Sequence, residues 1–471
     1  MVVKYLLNTD ILYMEDVNYN NYHPLIKAIY QNQSDRVKAL LSSESLNEIN
    51  KDSTKFVICH FTPLILSYLL NNKEIFEILI KFFDINELDS FGYNLLYYAI
   101  LKEDIKMINY LINNGIDINF MKSRSKGRYH SALDISILIK NKEIFNILIN
   151  NEKILLNIPN KLGEIPLITI LKYNDCNIIF KKEIIEQLLL KGANINLTFK
   201  HKNSPLIYSI QEKSLILTEL LIQNGATINF IDDYGDTPLI YAVKENSYPI
   251  VKLLIENNAN VNYTDEQGYT PLFYAVRSDS ISLVKLLIEN GADINNRKSI
   301  PIIESAFLNN SLSMIQLIME NGFDFTITYK IESILISYFN KVIKMNSDKE
   351  KNNMKSIFGF LSKYYLNIFT GKVIKEIIKY NKLIFLKILL DHNLDINIKD
   401  EDGNTPLANA IKVKKREIVD YLIYKGASID CINNDGVNIY DICLKYSNDY
   451  IGRIIFYKIK QKIKKNKKEI K

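Results

Sequence analysis

The sequence has no tryptophan, five histidines, four cysteines and ten prolines among 471 residues. Each shortage removes a class of protein. Cys59, Cys176, Cys431 and Cys443 lie far apart with no C-x-x-C pair, which argues against a disulfide framework or a zinc site and suits a reducing compartment. His23, His60, His130, His201 and His392 are scattered, and no H-E-x-x-H occurs, so the usual metalloprotease helix is excluded. The phosphate-cradling G-x-x-x-x-G-K-[ST] and G-x-G-x-x-G loops and the G-x-S-x-G nucleophile elbow are also missing. No run of about eighteen apolar residues offers a membrane span. The opening "MVVKYLLNTDILYMEDVNYN" lacks the basic lead and long apolar block of a secretory signal. Together these absences predict a protein with no catalytic activity, no cofactor and no metal. The thirty tyrosines, set against the missing tryptophan, read as coding bias rather than function.

Charge is unevenly placed. The chain carries +6, yet from Arg453 onward nine bases face one acid, Glu469. The tail therefore exceeds the net charge of the whole, and the body is close to neutral. Such a body offers no long basic stripe for nucleic acid. The tail reads first as a polar cap on a stack of units, with an import signal in "KIKKNKK" or a basic amphipathic contact to lipid as sharper readings.

What is present is repetition. "DTPLIYAVKENSYPIVKLLIENNANVN" (Asp236–Asn262) is followed 33 residues later by "YTPLFYAVRSDSISLVKLLIENGADIN" (Tyr269–Asn295). With the Thr of "TPL" as a mark, thirteen starts appear, at His23, Thr62, Asn94, Ser131, Ile165, Ser204, Thr237, Thr270, Ile300, Ser333, Lys372, Thr405 and Asn438, most often 33 residues apart. Eight of the ten prolines follow a mark directly. That is the first-turn position of a helix, where proline's fixed φ helps and its missing N–H is not needed. Five residues after the mark, ten of the thirteen units have Ala, Ser or Cys, small enough for neighbouring helices to close together. Six glycines, including Gly225 and Gly291, end a second apolar segment where a left-handed cap is wanted. Six more, including Gly235 and Gly268, sit one or two residues before a mark and signal a tight turn. Each unit thus reads as turn, short helix, turn, longer helix and extended arm.

These residues resemble the ankyrin repeat, whose pattern runs T-P-L-H-x-A and then a long helix ending in G-A-x-V/I-N. The resemblance covers nearly the whole chain. It is strongest in units seven, eight and twelve and weakest in ten and eleven. It implies an all-α solenoid of about thirteen helix-turn-helix units joined by short hairpin-like arms. The expected organisation is a partial repeat or cap over 1–21, the array over 22–440, irregular around 326–372, and terminal helices with the basic tail over 441–471. The family's His after T-P-L is replaced here by Ile26, Ile65, Ile168, Ile207, Ile240 and Phe273, which puts the usual polar link between units in doubt and leaves apolar packing to carry the stack. Extra residues in units five and ten are expected between the two helices, the second at the polar stretch "KMNSDKEKNNMK" (Lys344–Lys355), read as a mobile loop.

The resemblance also implies that partners are gripped by hairpin tips and by the exposed face of the short helices. Candidate contacts are Lys122, Arg124, Lys126 and Arg128 in tip four and Lys200 and Lys202 in tip six. The others are Asp233, Tyr234 and Asp236 in tip seven, Glu266, Gln267 and Tyr269 in tip eight, and Glu401 and Asp402 in tip twelve. "DEDG" (Asp400–Gly403) lacks the further oxygen ligands of a calcium loop and is read as a turn. The expectation is a monomeric, cytoplasmic scaffold binding an unidentified protein. The alternative is a substrate-recognition adaptor, for example of a ubiquitin ligase.

Overall fold

The computed structural model describes residues 23–42, 61–90, 92–120, 130–160, 163–198, 203–296, 302–324, 331–343, 348–446 and 453–461. Among them the regular structure is helical, and the one β feature is an isolated bridge between Ile432 and Asn438. This is the all-α repeat architecture that the resemblance implies. The chain divides into two compact units, Met1–Tyr241 and Ala242–Lys471.

In the first unit, short helices at Pro24–Tyr30, Pro63–Leu69, Leu95–Leu101, Ala132–Leu138, Pro166–Lys172 and Pro205–Gln211 each precede a longer or equal one, as in Ile105–Asn113 and Leu215–Gln223. The second unit repeats the scheme with Pro271–Arg277 before Ile281–Glu289 and Pro406–Lys412 before Arg416–Tyr424. The sequence marks are helix N-caps. Oγ1 of Thr62, Thr270 and Thr405 accepts the N–H three residues on, at 3.3, 3.2 and 3.4 Å. Asn94 does the same from its amide oxygen at 3.3 Å. Such a cap satisfies one of the donors that a helix start leaves open.

The small residues five after the mark are buried in every case, from Ala28 to Ala410. At three of the serine positions the hydroxyl returns to the carbonyl three residues back, Ser67 to Leu64 at 2.8 Å, Ser136 to Leu133 at 2.7 Å and Ser209 to Leu206 at 2.8 Å. A buried hydroxyl therefore costs the core little. The aliphatic residues at the family's His position, Ile26, Ile65, Ile168 and Ile207, are fully buried.

Polar links between repeats exist nonetheless, in a place the sequence did not advertise. The Asn that closes several of the arms reaches the next repeat with both ends of its amide. Asn196 donates to the carbonyl of Gly225 (3.0 Å) and accepts from the N–H of Thr227 (2.8 Å). Asn262 does so with Gly291 (2.9 Å) and Asp293 (2.7 Å), and Asn295 with Gly322 and Asp324, both at 2.9 Å. Asn86 and Asn119 repeat the clamp earlier in the chain. The doubt about polar cross-linking is thus answered by an asparagine ladder along the caps of the longer helices.

Units five and ten depart from the loop expectation. The surplus in unit five lengthens the second helix to Ile178–Leu190. In unit ten the helix Asp348–Tyr364 takes in most of the polar stretch read as a loop; residues 344–347 lie outside the described residues. Met354, Ile357, Phe358 and Leu361 are its buried stripe, at the spacing of one helical face. The marks Ser333 and Lys372 fall inside helices Ile331–Ile343 and Gly371–Lys379 rather than at their caps. Gly371 opens the latter because a Cβ there would meet the carbonyl of Lys399 at 2.1 Å.

Candidate interaction surface

Each well-formed tip is built on one carboxylate or amide that the solvent barely sees. In tip seven, Oδ1 of Asp232 accepts the N–H of Tyr234 (3.0 Å) and of Asp236 (2.8 Å), and Oδ2 accepts the hydroxyl of Tyr241 (2.6 Å). In tip eight, Asp265 holds Gln267 (2.9 Å) and Tyr269 (2.8 Å) by their N–H groups and Tyr274 (2.6 Å) by its hydroxyl. In tip twelve, Asp400 holds Asp402 (3.0 Å) and Asn404 (2.8 Å), with the amide of Asn409 (2.9 Å) in the tyrosine's place. Tip three uses Asp89 with Tyr93 (2.9 Å) and Tyr98 (2.5 Å). The aspartate fixes the turn from within, and the residue nine positions later fastens that turn to the short helix. Burial and the bond to Asp232 raise the pKa of the Tyr241 hydroxyl.

The candidate residues divide on this frame. Asp233, Tyr234, Glu266, Gln267, Glu401 and Asp402 are exposed, Tyr234 to 67%. Asp236 is only 8% exposed. Tyr269 is half-buried and lies flat on Phe273, ring centroids 4.0 Å apart; Tyr93 stacks on Tyr97 in the same way at 3.6 Å. Asp236 and Tyr269 therefore belong to the frame, and the other six lie at the surface. Lys122, Arg124, Lys126, Arg128, Lys200 and Lys202 lie outside the described residues.

Tip twelve is partly neutralised by its own chain. Lys372 meets Glu401 at 2.8 Å, and Lys375 meets Asp402 at 2.8 Å and Asp400 at 3.6 Å. The bond from Lys375 holds the Asp402 carboxyl below the usual range. An exposed pair of this kind adds little stability, but it reduces the charge that the tip offers.

Elsewhere, a cleft of about 330 Å³ opens between units two and three, lined by Tyr68, Phe76, Asp104, Met107 and Tyr110 among others. Two of its polar groups engage each other, as Asp104 accepts the Tyr68 hydroxyl at 3.3 Å as well as the Met107 N–H at 3.1 Å. Among the described residues no three His, Cys, Asp or Glu converge as a metal site, and no helix is long and apolar enough to cross a membrane.

Capped short helix, longer helix, glycine cap and aspartate-pinned tip, repeated at 33 residues, define a repeat protein that presents its tips. The family model described as "Ankyrin repeats (3 copies)" matches residues 46–122, 178–265, 215–298, 250–329 and 374–468, more than half of the chain. The chain belongs to the ankyrin repeat family, a typically non-catalytic protein–protein interaction module. It is similar to two ankyrin repeat proteins of Fowlpox virus (strain NVSL). With FPV230 it shares 26% identity over 170 residues, 30% of this chain and 87% of that protein. With FPV219 it shares 38% over 69 residues, 15% of this chain and 16% of that protein.

Proposed function

We propose that this chain is a non-catalytic scaffold whose protein partner docks across the hairpin tips and the exposed face of the short helices. The supporting observation is the division just described. The same buried aspartate sets the turn in tips seven, eight and twelve, while the exposed pair beside it changes from Asp233-Tyr234 to Glu266-Gln267 to Glu401-Asp402. A rigid frame carrying variable side chains suits recognition by loops on a fixed scaffold. Lys122, Arg124, Lys126, Arg128, Lys200 and Lys202 add a band of opposite sign in sequence. Complementary charge of this kind governs the rate and selectivity of encounter more than final affinity. The reading makes the protein a cytoplasmic monomer whose basic tail caps the stack, with nuclear import through that tail as the alternative.

Affinity capture from the native cell tests it, comparing the wild type with a variant carrying serine at Asp233, Tyr234, Glu266, Gln267, Glu401 and Asp402. Recurrent partners lost by the variant support tip docking. Partners retained undiminished would refute it. Recovery of ubiquitin-ligase subunits would replace the scaffold by the adaptor.

A further inference from the structure

Four of the longer helices end in Asn-Gly: Asn114-Gly115, Asn224-Gly225, Asn290-Gly291 and Asn321-Gly322. This dipeptide is chemically prone to lose its amide. The glycine nitrogen attacks Cγ of the asparagine, the Cγ–Nδ2 bond breaks and ammonia leaves. Water then opens the cyclic imide to aspartate or isoaspartate. Glycine permits the attack because it has no side chain to obstruct it and a permissive backbone.

In the folded repeat both reacting groups are committed elsewhere. Nδ2 of Asn114, Asn224, Asn290 and Asn321 donates to the carbonyl four residues back, at 2.7, 2.8, 2.8 and 2.8 Å. The glycine N–H that must attack donates instead to the last helical turn, at 3.1, 3.0, 3.0 and 3.1 Å in the same order. The glycine carbonyls are held by the asparagine ladder, as Gly225 by Asn196 and Gly291 by Asn262. Asn257 makes the same cap, with Nδ2 2.9 Å from the Leu253 carbonyl, but Asn258 follows it instead of glycine.

We propose that the four Asn-Gly caps are self-modifying sites guarded by the fold, and that conversion of Asn290 exposes Asn321 in the next repeat. The product cannot keep the cap. A carboxylate has no N–H for the carbonyl four residues back, and it adds negative charge to the negative end of the helix. The isoaspartate form also inserts a backbone carbon and shifts the adjoining glycine out of reach of the ladder. Stability in a repeat stack is close to a sum of repeats and nearest-neighbour interfaces, so a failed cap raises local opening next door.

The full chain is incubated at neutral pH, folded and in urea beyond its unfolding midpoint, and the five asparagines are followed by peptide mapping and mass spectrometry. In urea the four Asn-Gly sites convert together and Asn257 lags; folding slows the four by about tenfold or more, the suppression of local opening. In folded Asn290→Asp, conversion at Asn321 accelerates and conversion at Asn114 does not. Equal rates in folded and unfolded chain, Asn257 keeping pace in urea, or an Asn321 rate indifferent to Asn290→Asp would each overturn the proposal.

Discussion

Tyr274 places its hydroxyl 2.6 Å from Oδ2 of Asp265, nine residues earlier, and so ties a hairpin tip to the helix that follows it. The other oxygen of that carboxylate already holds two N–H groups of the tip. Tyr274→Phe leaves a largely buried carboxylate oxygen without its donor. The expected cost is about 1–2 kcal/mol, the lower part of the range for a charge-assisted hydrogen bond because the tyrosine is half-buried. Urea unfolding measures it. A change of midpoint indistinguishable from zero would show that the clamp is dispensable.

The ladder gives a second expectation. Asn262→Ala removes the bond to the Gly291 carbonyl and the bond from the Asp293 N–H. Both are exposed to water, which replaces them in part, so the loss is about 1 kcal/mol. Amide exchange at Asp293 should quicken while that of Ile108 stays unchanged. Uniform acceleration throughout the chain would contradict a nearest-neighbour stack.

Much of this was legible beforehand and some was not. Pro271 behind Thr270, and Gly291 at the end of "LLIENG", are local signals: one residue's φ or missing N–H dictates the structure beside it. The Asp265–Tyr274 bond is not local. It joins a turn to a helix at a separation that matches neither helical nor strand periodicity. The available clue was a coincidence across units, Asp89 with Tyr98, Asp232 with Tyr241 and Asp265 with Tyr274. The helix Asp348–Tyr364 failed for another reason. Its polar first turns, "DKEKNN", hid the Met354, Ile357, Phe358 and Leu361 spacing that begins late in the segment. Among the candidate contacts, composition could not separate Asp233 from Asp236, since only the turn geometry turns one outward and the other in.

Gly371 tests close approach. An added Cβ would lie 2.1 Å from the Lys399 carbonyl and 2.6 Å from the Asp400 nitrogen, both backbone atoms that cannot simply swing aside. Gly371→Ala should therefore destabilise by more than about 2 kcal/mol, the scale of overpacking a tight core, despite alanine's better helix propensity. Thermal melting checks it. An unchanged or raised Tm would mean that the unit eleven helix can move away at no cost.

Asp134 makes stability depend on pH in an unusual direction. It is 1% exposed, accepts the Thr169 hydroxyl of the next repeat at 2.8 Å and the Ser131 N–H at 3.0 Å, and burial raises its pKa above the reference value of 3.8. The folded state then holds the proton more tightly than the unfolded state, so stability falls as pH rises from 3.8 through the folded pKa. Asp134→Asn removes that dependence. The Tm of the wild type relative to this variant should decline as pH is raised across the window. A wild type that gains on the variant over the same range would reverse the assignment.

The central claim is that a partner reads the tips and the short helices. Hydrogen exchange on the full chain, with and without a partner recovered by affinity capture, addresses it most directly. The account predicts protection on binding at Asp233–Asp236, Glu266–Tyr269 and Glu401–Asn404 and along the adjoining short helices, with the longer helices such as Ile281–Glu289 unaffected. Protection confined to the longer helices, with those tips exchanging as in the free chain, would contradict it.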